Sequence, residues 1–188
     1  MKLVLALAAI AAVWSTVICS PGIAKGDRPE PIRFTLVPAS DAVANCFPNA
    51  KADVTVIESA DDRGTDSLHF KASGLPPNTD FVLFLTELPA PPFGAVQYIA
   101  DYTTDDEGEG HVNVKAIIAE AFSSQVVSGS RVRVDLNHMV SWFADPAGDD
   151  VCLGAGQGPD SPFDGDGHAG TAALSSKNAL PGAPLPPP

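Results

Sequence analysis

Four side chains that could bind a metal ion or transfer protons fall within one nine-residue stretch near the C-terminus: Asp160, Asp164, Asp166 and His168. Asp164, Asp166 and the following Gly167 imitate the start of a calcium-binding loop, in which alternate carboxylates point at one ion. A full loop would continue with another oxygen ligand and a bidentate glutamate, but His168 and small residues follow here. The stretch is also typical of a tight turn in which aspartates accept hydrogen bonds from backbone amides. We favour the turn, which needs no cofactor, and keep bound Ca²⁺ or Zn²⁺ as the alternative.

A fifth candidate, His138, lies in the segment 131–143, where apolar and polar residues alternate and predict one long strand. His138 falls in the apolar register, together with Val140 and Trp142. A neutral histidine that is hydrogen-bonded inside the core is the simpler interpretation. If the fold brought His138 to His168, with an aspartate orienting one ring, the group would form a zinc or acid–base site.

Sequence motifs of catalysis are absent from the chain. It has no Gly-x-Ser-x-Gly elbow, no His-Glu-x-x-His and no glycine-rich phosphate loop. We therefore assign no catalytic residue and favour a protein that is not an enzyme.

The N-terminus predicts a secretory signal peptide over residues 1–24. Lys2 supplies the positive charge, and an unbroken apolar run follows over residues 3–13. Gly22 and Ala24 provide small residues at positions −3 and −1 of a cleavage site. The mature protein is therefore expected to be secreted, outside the cell or associated with its surface.

Removal of this segment would leave two of the three cysteines, because Cys19 lies within it. Lipid attachment at Cys19 would need a small residue before it, whereas Ile18 is large. A retained membrane anchor would need about 20 predominantly apolar residues, and Pro21 with nearby polar residues interrupts the run. Cys46 and Cys152 remain, and an even number of cysteines in a secreted chain predicts a disulfide between them.

The chain is acidic, with 11 basic and 23 acidic residues and a formal net charge of −12. Cleavage after residue 24 would remove one lysine and no acid, leaving a net charge of −13. Such a charge repels nucleic acid phosphates and anionic headgroups. We expect an extracellular ligand or protein as the partner, with no nucleic acid and no membrane insertion after cleavage.

Short segments of alternating polarity, separated by turn residues, indicate an all-β protein. In two of them His69 and His111 occupy the polar register and are predicted at the surface. The segment 81–85 is apolar throughout and predicts a central strand covered on both faces. About seven or eight strands favour an antiparallel β-sandwich, loosely immunoglobulin-like, with a β-barrel as the alternative. Residues 117–125 are predicted to form the one helix.

These signals divide the chain into four parts. The signal peptide at 1–24 is followed by a linker at 25–31 and a single β-sandwich domain at 32–176. The proline-rich end at 177–188 predicts an extended, disordered tail.

Two sequence elements resemble a group of uncharacterised secreted bacterial proteins of unknown function. One is Gly-Leu-Pro-Pro-Asn-Thr-Asp-Phe at 74–81. The other combines Trp-Phe-Ala-Asp-Pro at 142–146, Cys152 and Pro-Phe-Asp-Gly-Asp-Gly-His-Ala-Gly at 162–170. The resemblance implies secretion, one β-rich domain and a characteristic C-terminal loop. We expect a disulfide-linked, non-catalytic extracellular binding or surface-associated module. The alternative is a metal-dependent extracellular enzyme or metal-binding protein that uses the Asp160–His168 loop.

Overall fold

A computed structural model describes residues 30–59, 64–161, 168–177 and 183–185 of the 188-residue chain. The described residues form ten strands, two short α-helices and one 3₁₀ helix. The strands are β1 Ile32–Pro38, β2 Lys51–Ile57, β3 Asp66–Ser73, β4 Asp80–Thr86, β5 Val96–Thr103, β6 Gly110–Ala116, β7 Phe122–Val127, β8 Ser130–Asp135, β9 His138–Phe143 and β10 Ala172–Ser175. The helices are α1 Asp41–Cys46, the 3₁₀ helix Pro146–Asp149 and α2 Asp150–Leu153.

Eight strands form one antiparallel sheet in the order β5-β4-β9-β10-β1-β2-β3-β6, and β7 pairs with β8 in a separate hairpin. Strand β1 belongs to both halves of the sheet, because residues 32–36 pair with β2 whereas residues 37–38 pair with β10. The edge strands β5 and β6 lie against each other, so the sheet nearly closes on itself. The all-β prediction is confirmed, and the curled sheet combines the facing halves of a sandwich with the near-closure of a barrel.

The main core lies between the two halves of the sheet. Alternate residues of β2 and β3 are buried, as expected for strands with one face in the core. Across from them, Phe81 packs on Tyr102 and Phe143 with ring centroids 5.3 and 4.9 Å apart. The Tyr102 hydroxyl is 2.8 Å from Ser141 Oγ, which satisfies both buried groups. Burial raises the pKa of Tyr102, so this hydroxyl stays protonated and the core carries no charge there.

The predicted helix at 117–125 is wrong, because this part of the chain makes a turn and then enters β7. The buried carboxylate of Asp66 accepts hydrogen bonds from the backbone N–H groups of Ile118 and Ala119, at 3.0 and 2.8 Å. At the other end of β7, Ser128 and Gly129 have φ of 51° and 83°, as a two-residue hairpin turn requires. The turn chemistry therefore selects a hairpin over a helix.

The predicted single strand 131–143 is also interrupted, at residues 136–137. Leu136 is buried and donates its N–H to the Ala121 carbonyl at 2.9 Å, which anchors the base of the hairpin. Strand β8 then belongs to the hairpin, whereas β9 pairs with β4 and β10. One alternating pattern thus covers two strands with different neighbours.

Both faces of β9 are buried. Met139 and Phe143 enter the main core. Val140 and Trp142, which the sequence places inward, instead form a second apolar cluster on the other side of the sheet. This second cluster carries the candidate site described below.

Part of the predicted tail packs on the domain. Leu185 is only 1% exposed, and its N–H donates to the Asn137 carbonyl at 3.2 Å. The prediction of a disordered tail is therefore wrong for residues 183–185. Residues 178–182 and 186–188, like the predicted signal peptide at 1–24, lie outside the described residues.

The predicted disulfide is confirmed. Cys46 in α1 is bonded to Cys152 in α2, with their Cα atoms 5.5 Å apart. The bond joins the loop after β1 to the segment that follows β9. Within the described ranges, no helix has the length and apolar character needed to cross a membrane.

Candidate functional site

A mostly apolar pocket opens beside the second cluster and has a volume of about 400 Å³. One wall comes from the loop after β4, another from the two residues after β1, and a third from the segments before β10 and its first residue. Its apolar lining is Ala39, Pro91, Pro92, Phe93, Trp142, Pro159 and Ala172. The hydroxyl-bearing residues Ser40, Ser161 and Thr171 are the polar part of the lining. A pocket of this size with a few polar groups is typical of small-molecule sites.

Aromatic rings give the pocket a rigid wall. The Phe93 ring meets the Trp142 ring nearly edge-on, with centroids 4.7 Å apart, and the Phe84 ring also meets Trp142 edge-on, with centroids 5.5 Å apart. Phe93 has φ of 58°, an unusual backbone conformation for a residue with a Cβ. Hydrogen bonds within the loop, from the Phe93 N–H to the Ala90 carbonyl and from the Leu88 N–H to the Phe93 carbonyl, hold it there at 2.9 Å each. The fold therefore presents Phe93 to the pocket in a fixed position.

The sequence-predicted residues Asp160 and His168 contact each other, and Asp160 lies in the chain between the pocket residues Pro159 and Ser161. His168 Nδ1 donates a hydrogen bond to Asp160 Oδ1, and both side chains are more than half exposed. The pair is positioned by a two-residue ladder in which Ser161 and Ala169 exchange backbone hydrogen bonds of 2.9 and 3.0 Å. Asp164 and Asp166 lie between these two anchored ends but outside the described residues.

A buried carboxyl group lies behind the segments that form the pocket wall. Asp149 has no exposed surface, and its Oδ2 accepts a hydrogen bond from the Thr171 N–H at 2.6 Å. Its Oδ1 has no hydrogen-bond partner among the described residues. Burial raises the pKa of Asp149, the Thr171 N–H partly offsets this, and the nearby charge of Asp150 adds to it. A Cβ at Gly158 would lie 2.0 Å from Oδ1, so only glycine leaves room for this carboxyl.

His138 is not part of this site. It begins β9, whereas Gly170 and Thr171, which follow His168 closely, form backbone hydrogen bonds with Phe143 at the opposite end of that strand. Five residues of strand separate the two ends by about 16 Å, so the hypothesis that His138 joins His168 is not supported. His138 Nδ1 is instead 3.2 Å from Ser176 Oγ. Burial lowers the pKa of His138, which favours the neutral, structural histidine.

The described residues contain no group of three or more His, Cys, Asp or Glu side chains arranged to hold a metal ion. Asp160 and His168 supply two potential ligands, and in the structure they bind each other. A cation bound to this pair would need further ligands, which the predicted calcium-like loop assigns to Asp164 and Asp166.

The sequence did not point to Phe93, Pro91 and Pro92 as site residues. The run Pro-Pro-Phe-Gly at 91–94 is a turn signal, and nothing in its spacing relates it to Trp142 about 50 residues later. Pairing of β4 with β9 brings the two segments together. In comparisons with protein-family models and with curated proteins, nothing matches this chain.

Proposed function

We propose that the protein is a secreted, non-catalytic binding module that holds a small, largely apolar ligand in the pocket beside Trp142. The observation that carries this proposal is the pocket itself, which combines an apolar lining of seven residues with three hydroxyl-bearing residues. Burial of apolar ligand surface supplies the affinity, and the hydroxyl groups orient the ligand.

The disulfide supports both parts of the proposal. A stable disulfide is typical of proteins that work in an oxidising compartment, which agrees with the predicted signal peptide. It also ties α1, which follows the pocket residues Ala39 and Ser40, to α2, which precedes the pocket residue Pro159. Two walls of the pocket are thereby linked by a covalent bond.

The pocket offers no developed arrangement for catalysis. Ser161 and Thr171 are present, but no histidine among the described residues is hydrogen-bonded to either hydroxyl. The buried Asp149 carboxyl bonds to a backbone N–H and does not line the pocket. A binding role therefore agrees better with this geometry than acid–base chemistry does.

Binding of the neutral fluorescent probe N-phenyl-1-naphthylamine tests the proposal. We expect saturable emission enhancement at one probe per protein. Ala39→Leu, which places three additional carbons at the pocket wall, should weaken binding at least tenfold, about 1.4 kcal/mol. Ala155→Leu, at an exposed loop position, is the matched control and should bind like the unmodified protein.

Two results would overturn the proposal. Equal probe binding by both variants would place the probe outside the pocket. Stoichiometric calcium or zinc in the purified protein, with a melting temperature that falls on chelation, would favour the metal-dependent alternative that uses the Asp160–His168 loop.

A further inference from the structure

Charge is unevenly distributed over the surface of this acidic protein. The outward side chains of β1, β2, β3 and β6 form a surface that we call the basic face. Its exposed members are Arg33, Lys51, Asp53, Ile57, His69, Lys71, His111, Asn113 and Lys115. The described ranges contain seven basic and 18 acidic residues. Four of the seven basic residues lie on this face. Of the 18 acidic residues, only Asp53 lies on it, and Glu109 lies at its edge.

Strand register places these side chains on one continuous surface. Lys71 of β3 lies opposite Asp53 of β2 on one side and His111 of β6 on the other. In β3, Ser67 pairs with Lys115 of β6 and Ser73 pairs with Lys51 of β2. These two positions on β3 are six residues, or about 20 Å, apart. Four strands span about 14 Å in the other direction. The basic face is therefore large enough for an extended ligand.

The acidic residues neutralise this face only in part. Lys51 Nζ lies 3.7 Å from Asp53 Oδ2, and Lys71 Nζ lies 3.1 Å from Glu109 Oε2. All four side chains are at least 40% exposed, and ion pairs at such positions are weak. Neither Arg33 nor Lys115 forms an ion pair within the described ranges. The two excess positive charges therefore remain available to a partner.

A shallow groove of about 230 Å³ crosses the middle of the basic face. Its polar lining comprises Asp53, Thr55, His69, Lys71, His111 and Asn113. His69 Nδ1 is 2.7 Å from Asn113 Oδ1, which fixes the imidazole ring in the groove. The groove thus combines the ammonium group of Lys71 and the opposing carboxylate of Asp53 with ring, hydroxyl and amide groups that can pair with a hydroxyl-rich molecule. The excess positive charge that attracts a carboxylate comes from Arg33 and Lys115 on the same face.

We propose that the basic face binds an anionic polysaccharide through its carboxylate groups. Charge complementarity selects a polyanion. Hydroxyl and amide groups on the same face, among them Thr35, Thr55 and Asn113, can pair with sugar hydroxyls. Ile57 is the one large apolar side chain among the exposed members. The face therefore has no Phe, Tyr or Trp on which nucleic acid bases could stack. It also lacks the cluster of apolar side chains that insertion into lipid requires. Acidic residues elsewhere also repel the denser charge of a nucleic acid.

Binding to immobilised polygalacturonate, with neutral dextran as the reference surface, tests this proposal. We expect binding to polygalacturonate only, and we expect it to weaken as salt is added, because exposed charges are screened. The double variant Lys71→Glu/Lys115→Glu should bind at least tenfold more weakly, since two attractions become repulsions.

The matched control is Arg131→Glu/Arg133→Glu, which changes the net charge equally on the β7–β8 hairpin. It should retain most of the affinity. Equal loss in both double variants would show that only net charge matters and would overturn the proposal. So would absence of binding by the unmodified protein, or tighter binding to oligo-dT than to polygalacturonate. The basic face shares no residue with the Trp142 pocket, so this test is independent of the probe-binding test.

Discussion

Replacement of Asp149 by asparagine should stabilise the protein at neutral and mildly alkaline pH. The Asp149 side chain is fully buried, and its Oδ1 lacks a hydrogen-bond partner among the described residues. A buried polar group left unpaired costs about 1–3 kcal/mol of folding free energy, and more when it is charged. Asparagine keeps an oxygen that can accept the Thr171 N–H but removes the charge. We expect a gain of about 1–3 kcal/mol, reduced to the extent that the new amide N–H groups are unpaired.

The gain should depend on pH in a definite direction. Burial raises the pKa of Asp149 in the folded state, whereas the unfolded chain keeps the ordinary value. The folded protein therefore binds this proton more tightly. The stability that this bound proton contributes is fully present below the pKa of Asp149 in the unfolded chain. It is lost as the pH rises through the pKa of Asp149 in the folded protein. The variant has no such loss, so its advantage should be small in acid and should reach a plateau above the folded pKa.

Urea denaturation of both proteins at a series of pH values measures this difference. Asp145→Asn is the matched control, because Asp145 is an exposed cap whose Oδ1 accepts the Ala147 N–H at 2.7 Å, and asparagine caps equally well. A stability difference that does not vary with pH, or a variant that is less stable at pH 8, would refute the reasoning. Either result would mean that the carboxylate has a favourable partner.

Two further perturbations test how the ends of the domain are held. Cys46→Ala/Cys152→Ala opens a loop with a sequence separation of 106 and should lower the free energy of unfolding by about 4–5 kcal/mol in the loop-entropy model; a loss below about 1 kcal/mol in urea denaturation would contradict it. Leu185→Ala removes a buried side chain and should cost about 2–5 kcal/mol. The control is Val151→Ala at an exposed position, which should change stability by less than about 0.5 kcal/mol. If Leu185→Ala had an equally small effect in thermal melting, residues 183–185 would not be part of the core.

The sequence predicted buried and exposed residues most accurately in strands that have one face in solvent. In β2 and β3 the alternation of buried and exposed residues matches the polarity pattern, because water distinguishes the two faces. The apolar segment 81–85 was correctly assigned to a central strand, since β4 is buried on both faces between β5 and β9. Strand β9 is also buried on both faces, so its polarity pattern did not show which of its residues enter the main core. Val140 and Trp142 are as apolar as core residues, but the cluster that they enter lies on the far side of the sheet.

The pocket shows why the site was harder to predict than the fold. Asp160 and His168 were recognised from their chemical types, and they do contact each other. The distance from His138 to this pair depends on strand direction, which spacing along the chain does not reveal. Phe93 and Trp142 meet only through pairing of β4 with β9. Residue types therefore indicated the Asp160–His168 pair, and long-range strand pairing determined the pocket beside Trp142.

The place of β10 between β9 and β1 makes folding depend on the last part of the chain. Residues 172–175 join the two halves of the sheet, and their pairing with β1 connects segments almost 140 residues apart. Contacts of such long range slow folding, because a large loop must close before they form. Until β10 is inserted, β1 and β9 both present unpaired edges, which readily capture strands of other molecules. A chain that is cut before residue 172 should therefore self-associate, even though nine of its ten described strands are intact.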